Sequence, residues 1–270
     1  MTIKIKLFAM DLDGTLLNKE KQITPACRKA IAEMYAAGVI PTIATGRMYN
    51  ASRRYALQLG LDVPIVTYNG ALIKSVSGKV YYEGFLNPYT VSAIYDFCRA
   101  KGWYYQSYQD DVLYFDRYTD RSALYEQSIN AKGVTLGDEI YSIKDRVPKL
   151  LIITSGNDES DAVAAEFNEH FAGRAVGAKS QLNYVEIMAP HVSKADGLKR
   201  LAEKLGFSIE NVMAIGDGNN DVPMLREAGF SAVMGSANDD VKACGKAVVA
   251  DSEHDGVAEA IYKYVLKTRS

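Results

Sequence analysis

The chain has few residues of the types that build zinc sites, disulfide frameworks and histidine-based catalytic centres. Only three of its 270 residues are cysteines and only three are histidines. Cys27, Cys98 and Cys244 are far apart and odd in number, which excludes a metal-binding spacing and a disulfide framework. The histidines form no cluster in the sequence, so none is assigned a catalytic task. We expect the cysteines to be small buried residues in a reducing compartment.

Long apolar runs and an excess of one charge are also missing. No segment approaches the ~20 apolar residues of a membrane span, and we expect no signal peptide at the N-terminus. The formal net charge is −2 and no basic cluster is present, which argues against a nucleic-acid partner. The sequence therefore predicts a cytoplasmic protein that binds neither membranes nor nucleic acid. It leaves the oligomeric state open.

Short apolar runs alternate with helical patterns in the first part of the chain. Lys6–Met10, Val39–Ala44 and Ile65–Tyr68 are predicted strands. Thr24 followed by Pro25 predicts the start of a helix between the first two strands. Such strand–helix alternation is typical of a parallel sheet covered by helices on both faces.

The middle of the chain follows a different pattern. Ser77-Gly78 predicts a hairpin turn, and strands and helices then mix without βαβ regularity as far as Met188. The strand–helix alternation returns after Pro190, with Val212–Ile215 as a further strand. The sequence therefore predicts an α/β domain that is interrupted by an α+β module.

The first motif, Asp11-Leu12-Asp13-Gly14-Thr15, directly follows the first predicted strand. Ligands of open α/β sheets bind beyond the carboxyl ends of the strands. Two carboxylates this close repel each other unless a cation or a proton resolves the conflict. Because turns are rich in aspartate, a plain turn is the alternative interpretation.

Two further motifs offer groups that bind anions. Thr45-Gly46-Arg47 follows the second strand, where a hydroxyl and backbone N–H groups can bind phosphate oxygens. Lys194 begins a helix, where the helix dipole disfavours a cation. An anionic ligand or the aspartates would explain that placement. A simple turn and a surface lysine are the respective alternatives.

The fourth motif, Gly216-Asp217-Gly218-Asn219-Asn220-Asp221, follows the strand Val212–Ile215 and is dense in oxygen ligands. Oxygen ligands without a cysteine or histidine cluster indicate Mg²⁺ rather than zinc. The spacing and terminal glutamate of a calcium-binding EF-hand loop are missing. A turn without a metal is again the alternative.

In this order, the four motifs resemble those of the haloacid dehalogenase superfamily. The chain is most similar to its Cof-type (class IIB) branch of sugar-phosphate phosphatases. The resemblance covers nearly the whole chain and includes Tyr68-Asn69-Gly70-Ala71 and Val185–Lys194. It implies an α/β fold with a Rossmann-like core and a parallel sheet, formed by residues 1–84 and 189–270. An α+β cap, residues 85–188, would be inserted and would set substrate specificity.

The resemblance also implies catalytic and metal-binding roles. Asp11 would be the nucleophile that forms an aspartyl-phosphate, and Asp13 the general acid and base. The latter role requires a proton on Asp13, and we expect burial and nearby like charge to raise its pKa. Mg²⁺ would be bound by Asp11, Asp217 and the backbone carbonyl of Asp13. Asp221 would support the metal or Lys194.

Further residues would bind the substrate. The phosphoryl group would be held by Thr45, Gly46, Lys194 and Asn220. Arg47, Asn69 and Glu186 are candidate contacts to the rest of the substrate. Ala195 departs from the family pattern, in which many members have glycine after the lysine.

The predicted function is Mg²⁺-dependent hydrolysis of a small phosphorylated metabolite of the sugar-phosphate type. A phosphomutase on the same scaffold stays open as an alternative. A catalytically silent sensor of phosphorylated ligands is disfavoured because Asp11 and Asp13 are both present. A dehalogenase is disfavoured by Asp13 and by the acidic fourth motif.

Overall fold

A computed structural model of the protein describes residues 4–267 and divides them into two units. The first unit contains the described residues up to Tyr82 and those from Ser193 onward, and the second unit is Glu83–Val192. The domain boundaries that the sequence predicts, with a cap domain of residues 85–188, remain a prediction. No helix among residues 4–267 combines the length and apolar character that crossing a lipid bilayer requires.

Strands and helices are distributed along the whole of the described chain. The strands are β1 (Leu7–Met10), β2 (Ile40–Ile43), β3 (Pro64–Thr67), β4 (Leu72–Ser75), β5 (Val80–Glu83), β6 (Tyr105–Gln109), β7 (Val112–Phe115), β8 (Gly133–Thr135), β9 (Leu150–Ile153), β10 (Val176–Gln181), β11 (Tyr184–Met188), β12 (Val212–Gly216), β13 (Phe230–Met234) and β14 (Ala247–Val249). The α-helices are α1 (Pro25–Ala36), α2 (Tyr49–Gln58), α3 (Pro88–Lys101), α4 (Asp120–Ile129), α5 (Asn157–His170), α6 (Lys194–Lys204), α7 (Val222–Glu227), α8 (Asp239–Lys242) and α9 (Gly256–Ala260).

The first unit is built on a parallel sheet in the order β14-β13-β12-β1-β2. Every residue of β1 is buried, and so is every residue of β12. Alternate side chains of β1 enter different cores: Phe8 and Met10 join one apolar cluster, Leu7 and Ala9 the other. A strand whose two faces are both covered must be apolar at successive positions, which explains the continuous apolar runs in the sequence. The α/β fold with a parallel sheet is therefore confirmed.

Proline is accommodated inside β2 because of its place in the sheet. The backbone N–H of Ile40 donates to Lys6 on the β1 side. The nitrogen of Pro41 therefore points the other way, since successive backbone groups alternate along a strand. On that side the described residues form no regular ladder between β2 and β3, and an isolated parallel bridge joins Ala44, just after β2, to Val66. The missing N–H thus disrupts no regular ladder.

Strand β3 differs from the sequence-based expectation of a third strand within the parallel sheet. It forms an antiparallel ladder with β4, in a separate sheet of order β3-β4-β5. The predicted turn at Ser77-Gly78 is confirmed, with the N–H of Gly78 donating to the Ser75 carbonyl at 3.0 Å. Whether β3 forms a parallel or an antiparallel ladder depends on which strand lies beside it in the fold. The sequence of β3 alone does not contain that information.

The second unit is a six-stranded sheet in the order β10-β11-β9-β6-β7-β8. The strand pairs are antiparallel except for β7 with β8. Apolar side chains of α3 and α5 pack on one face of the sheet, with Tyr95 and Phe167 among them. The predicted mixed α+β module is confirmed. The short strand β8 was not predicted from the sequence.

A buried ion pair lies in the second unit. Lys149 and Glu186 are only 1% and 6% exposed, and the lysine Nζ lies 2.9 Å from Oε1 of the glutamate. The ammonium also lies 5.1 Å from the centroid of the Tyr108 ring. Burial alone would lower the pKa of Lys149, but the charge of Glu186 reverses this and raises it. The two opposite charges therefore compensate each other inside the unit.

Removing one partner of this pair is expected to destabilise the second unit. Lys149→Met removes the ammonium that lies 2.9 Å from the buried Glu186 carboxylate, which should cost about 3–5 kcal/mol of unfolding free energy. Lys149→Met with Glu186→Leu should recover most of that loss. Urea denaturation followed by Trp103 fluorescence is the measurement, because the chain's single tryptophan lies in this unit.

The matched control is the exposed pair of Lys101 and Glu166, whose side chains are 41% and 44% exposed. Lys101→Met should cost less than about 1 kcal/mol. Equal losses of unfolding free energy in Lys149→Met and Lys101→Met would contradict the conclusion that the buried pair contributes more to stability than the exposed pair.

Candidate active site

Three of the sequence motifs lie at one edge of the parallel sheet. Asp11 directly follows β1, and Asp217 directly follows β12. Thr45 follows β2 with one residue, Ala44, between them. These strands are adjacent and parallel, in the order β12-β1-β2. Their carboxyl ends therefore meet at the same edge, which is where open α/β sheets bind ligands.

An acidic cluster occupies this edge. Asp11, Asp217 and Asp221 each place one carboxylate oxygen within 4.8 Å of the others. Oδ2 of Asp221 accepts the backbone N–H groups of Asp217 at 3.0 Å and Gly218 at 2.9 Å. Asp221 thus fixes the loop that carries Asp217.

The turn after Asp11 is built to approach Asp217. Gly14 has a φ of 79°, and a Cβ at this position would collide with the Asp217 carboxylate. Oγ1 of Thr15 donates to Oδ1 of Asp217 at 2.8 Å. Both residues belong to the first motif, but no role had been inferred for Thr15. The hydroxyl of Thr15, directly after Gly14, is the sequence feature that could have indicated this role.

Lys194 supplies the positive charge of the cluster. Its Nζ lies 2.6 Å from Oδ1 of Asp11 and 2.6 Å from Oδ1 of Asp221, and its side chain is completely buried. Ser193 caps α6 by accepting the N–H of Asp196, which places Lys194 in the first turn. The lysine thus points at the aspartates, one of the two explanations that the sequence left open.

One ammonium does not offset the charge of three clustered carboxylates, of which Asp11 and Asp221 are buried and Asp217 is half-buried. Burial raises the pKa of Asp11 well above its ordinary value, and the charges of Asp221 and Asp217 add to this against the opposing charge of Lys194. Burial and the charge of Asp221 raise the pKa of Asp217 to about 6. Burial alone would lower the pKa of Lys194, but the charges of Asp11 and Asp221 raise it.

These residues fit a divalent metal ion. The donors are hard carboxylate oxygens that converge on one point, and such donors suit Mg²⁺. Burial contributes most to the raised pKa values of Asp11 and Asp217, and the negative charge of the neighbouring carboxylates adds to it. A bound cation would offset that charge. The acidic cluster can therefore hold the kind of metal that the sequence predicted.

The Asp13 side chain is bound by two cations. Arg47 binds it through two hydrogen bonds of 2.6 Å, from Nε to Oδ2 and from Nη2 to Oδ1. Nζ of Lys21 lies 2.6 Å from Oδ1. Burial would raise the pKa of Asp13, but these bonds and charges outweigh it and lower the pKa. The expectation of a raised pKa is therefore wrong for this arrangement.

The error has a physical cause. The sequence showed only the acidic neighbour Asp11, whereas Arg47 is 34 residues away and meets Asp13 only in the folded chain. No pattern in the sequence marked Lys21, which is half exposed.

The remaining predicted residues of the first unit lie in loops beside these groups. Oγ1 of Thr45 accepts the backbone N–H of Arg47 at 3.2 Å, and Gly46 lies between them. Nδ2 of Asn220 donates to Oδ1 of Asn69 at 3.4 Å.

Glu186 is the one predicted site residue that belongs to the second unit, where it forms the ion pair with Lys149. Lys149 was not singled out from the sequence. It directly precedes the apolar strand β9, and no local pattern distinguishes a buried lysine there from an exposed one.

A doubly covered parallel sheet with an acidic, lysine-containing edge defines an α/β enzyme that binds its ligand beyond the strand ends. The family model described as haloacid dehalogenase-like hydrolase matches residues 8–261. The chain is 31% identical over 264 residues to the 5-amino-6-(5-phospho-D-ribitylamino)uracil phosphatase YcsE of Bacillus subtilis. The aligned region covers 98% of this chain and 97% of that protein.

Two further proteins are similar over nearly their whole length. Pyridoxal phosphate phosphatase YbhA of Escherichia coli is 27% identical, over 97% of this chain and 99% of that protein. A haloacid dehalogenase-like hydrolase from Bacteroides thetaiotaomicron has a TM-score of 0.85 and 29% identity, over 96% of this chain and 99% of that chain. The chain belongs to the haloacid dehalogenase-like hydrolase family. The predicted enzyme class, a hydrolase of the phosphatase type, is thereby confirmed.

Removing the arginine partner should change the ionisation of Asp13. Arg47→Gln takes away the cation that contributes most to lowering the pKa of Asp13, so this pKa should rise. Lys21→Gln should raise it less, because Lys21 is the smaller contributor. Carboxyl ¹³C chemical shifts of Asp13 followed over pH measure both effects. An unchanged titration in Arg47→Gln would contradict the described ion pair.

Proposed function

We propose that this protein hydrolyses phosphate monoesters of small metabolites and uses Mg²⁺ to do so. The observation that carries the proposal is the buried Asp11 carboxylate, which Lys194 binds within a cluster of further aspartates. A carboxylate at the carboxyl end of a central strand is directed to the ligand side of the sheet. An enzyme of this family needs such a group to accept the phosphoryl group.

Asp11 is the proposed nucleophile. Its carboxylate oxygen forms a bond to phosphorus while the bond from phosphorus to the ester oxygen breaks, which gives an aspartyl-phosphate and an alcohol. Water then attacks the phosphorus, and the bond between phosphorus and the Asp11 oxygen breaks. Inorganic phosphate leaves and the carboxylate is restored.

Asp13 is the proposed proton carrier. It gives a proton to the departing ester oxygen and later takes one from the attacking water. Its ion pairs with Arg47 and Lys21 have to weaken for the first step, because both cations favour the ionised carboxyl. Arg47 lies in the same loop as Thr45. We therefore expect substrate binding at that loop to weaken the ion pair between Arg47 and Asp13.

The proposed phosphoryl-binding groups are Thr45, Gly46, Lys194 and Asn220. An ammonium has three N–H groups, and Asp11 and Asp221 accept two of those of Lys194. The third can donate to a phosphoryl oxygen and stabilise the charge that develops in the transition state. Asp221 keeps Lys194 charged and oriented for this task.

Mg²⁺, when bound, would be held by Asp11, Asp217 and the Asp13 backbone carbonyl, and supplies positive charge that offsets the repulsion between carboxylates and phosphoryl oxygens. Thr15 orients the Asp217 carboxylate for this purpose through its hydrogen bond. Metal ligands that are themselves hydrogen-bonded keep their geometry better than unsupported ones.

The proposed substrates are phosphorylated sugars and sugar alcohols. This choice rests on the prediction from sequence and on a relative named as a 5-amino-6-(5-phospho-D-ribitylamino)uracil phosphatase. The relative named as a pyridoxal phosphate phosphatase supports a small phosphorylated metabolite in general. Arg47, Asn69 and Glu186 stay candidates for contacts to the substrate. The cytoplasmic location and the absence of nucleic-acid and membrane partners stay predictions from the sequence.

Asp11→Asn should abolish turnover, because a carboxamide is a poor nucleophile. Phosphate release from an aryl phosphate and from a panel of hexose, pentose, ribityl and pyridoxal phosphates, with Mg²⁺, should fall below about 0.1% of the wild-type rate. Asp138→Asn is the control, since this aspartate side chain is 96% exposed. Near-normal turnover by Asp11→Asn with an unchanged melting temperature would refute the assignment.

Mg²⁺ affinity should fall as the pH falls through about 6. The pKa of Asp217 is about 6, so at lower pH the metal must displace a proton from this carboxyl. The dissociation constant should rise by about tenfold per pH unit or more, because the pKa of Asp11, the other proposed carboxylate ligand, is raised as well. Isothermal titration calorimetry in two buffers of different ionisation enthalpy measures the affinity and the released proton. An affinity independent of pH between 5 and 8 would contradict this assignment.

A further inference from the structure

The turn after β3 has an unusual backbone. Tyr68, Asn69 and Gly70 follow one another with φ angles of 50°, 53° and 101°, and all three residues are buried. The left-handed region is disfavoured for residues with a Cβ, and least so for asparagine. Strained backbone of this kind persists where its surroundings hold it, and it clusters at functional sites.

The turn is fastened to the loop that carries Thr45. The backbone N–H of Asn69 donates to the Thr45 carbonyl at 3.0 Å, and that of Tyr68 donates to the Arg47 carbonyl at 3.0 Å. The positions of Thr45 and Arg47 therefore depend on the left-handed conformation of the two residues that follow β3.

The same turn lies directly against the start of α6. A Cβ on Gly70 would collide with the backbone carbonyl of Ser193, the residue before Lys194. Gly197, one turn further along α6, also leaves no room for a Cβ beside Gly70. The two glycines thus permit the close contact that sets the place of the helix carrying Lys194.

The Asn69 side chain makes a third connection. It is 3% exposed, and its Oδ1 accepts a hydrogen bond from Nδ2 of Asn220 at 3.4 Å. Asparagine is the residue type that combines tolerance of the left-handed backbone with an amide at this point. Glycine would fit the backbone equally well but would leave Asn220 without this acceptor.

We infer that Asn69 is a positioning residue, which orients Asn220 and the Thr45 loop around the phosphoryl group. This inference rests on the proposed phosphatase function, because Asn220 and Thr45 matter only if they hold a phosphoryl group. The Tyr68-Asn69-Gly70 turn would thus fix the relative positions of Thr45, Lys194 and Asn220, which lie in separate parts of the sequence.

A double-mutant cycle with Asn220 tests the inference. Asn69→Gly keeps the left-handed backbone and removes only the amide, so it should lower kcat for aryl phosphate hydrolysis about tenfold while KM changes less than about threefold. In the Asn220→Ala background the same substitution should lower kcat less than about twofold, because the residue through which it acts is already absent.

Two further variants separate positioning from simple stability. Asn69→Asp keeps an acceptor oxygen and tolerates the left-handed backbone, so its kcat should exceed that of Asn69→Gly, while the added negative charge raises KM. Asn130→Gly is the matched control, because Asn130 is an exposed asparagine with φ 50° and ψ 50° at the end of α4. Its kcat should equal that of the wild type.

The outcomes distinguish this inference from the proposed function. If the wild-type protein hydrolyses none of the phosphate esters, both fall together. If the wild type is active and Asn69→Gly retains full kcat, only the positioning role is overturned. Losses that add in the double variant also overturn it, since Asn69 would then act independently of Asn220.

Discussion

The ionic contact of Lys194 with Asp11 and Asp221 is the interaction on which the arrangement of the site depends. The chain brings three carboxylates to one edge, where burial and the charges of Asp221 and Asp217 raise the pKa of Asp11. A buried ammonium that is 2.6 Å from two of them supplies the counter-charge that makes this tolerable. The three groups come from the end of β1, the start of α6 and the loop after β12, so one charge balance connects distant parts of the sequence. The charge that remains uncompensated is what fits the site to a divalent cation and to phosphoryl chemistry.

The parallel sheet provides the geometry for this charge balance. Adjacent parallel strands end at the same edge, so short loops after β1, β2 and β12 can present Asp11, Thr45 and Asp217 together. Those loops are held by backbone features that only particular residues allow. Gly14 permits the approach to Asp217, and the left-handed turn from Tyr68 to Gly70 fastens the Thr45 loop. Rigid strands thus place the polar groups, and strained or glycine-containing turns set their final orientation.

Each unit buries a lysine, and in each case the same physics applies. Lys194 is paired with aspartates in the first unit, and Lys149 with Glu186 in the second. A buried charge is costly unless a partner compensates it, so such a pair strongly favours the one arrangement that keeps its members together. Lys149 and Glu186 therefore give the second unit a specific internal arrangement. The Asp13 carboxylate is different, because its side chain is 35% exposed and that of its partner Lys21 is 51% exposed. That difference suits a group proposed to exchange partners during a reaction.

The sequence by itself determined the fold class and most of the acidic site. Continuous apolar runs at successive strand positions require burial on both faces, and the motifs at the ends of those runs place Asp11, Asp217 and Asp221 at one edge. Lys194 begins a helix, and the family resemblance assigned it to the same site. These signals are local, so they can be read without knowing the partners. Tertiary structure decided what depends on distant partners: the binding of Asp13 by Arg47 and Lys21, the pairing of Glu186 with Lys149, and the antiparallel ladder of β3 with β4. A side chain's pKa and a strand's partner are set by whatever the folded chain brings beside them, and that neighbour is not written in the local sequence.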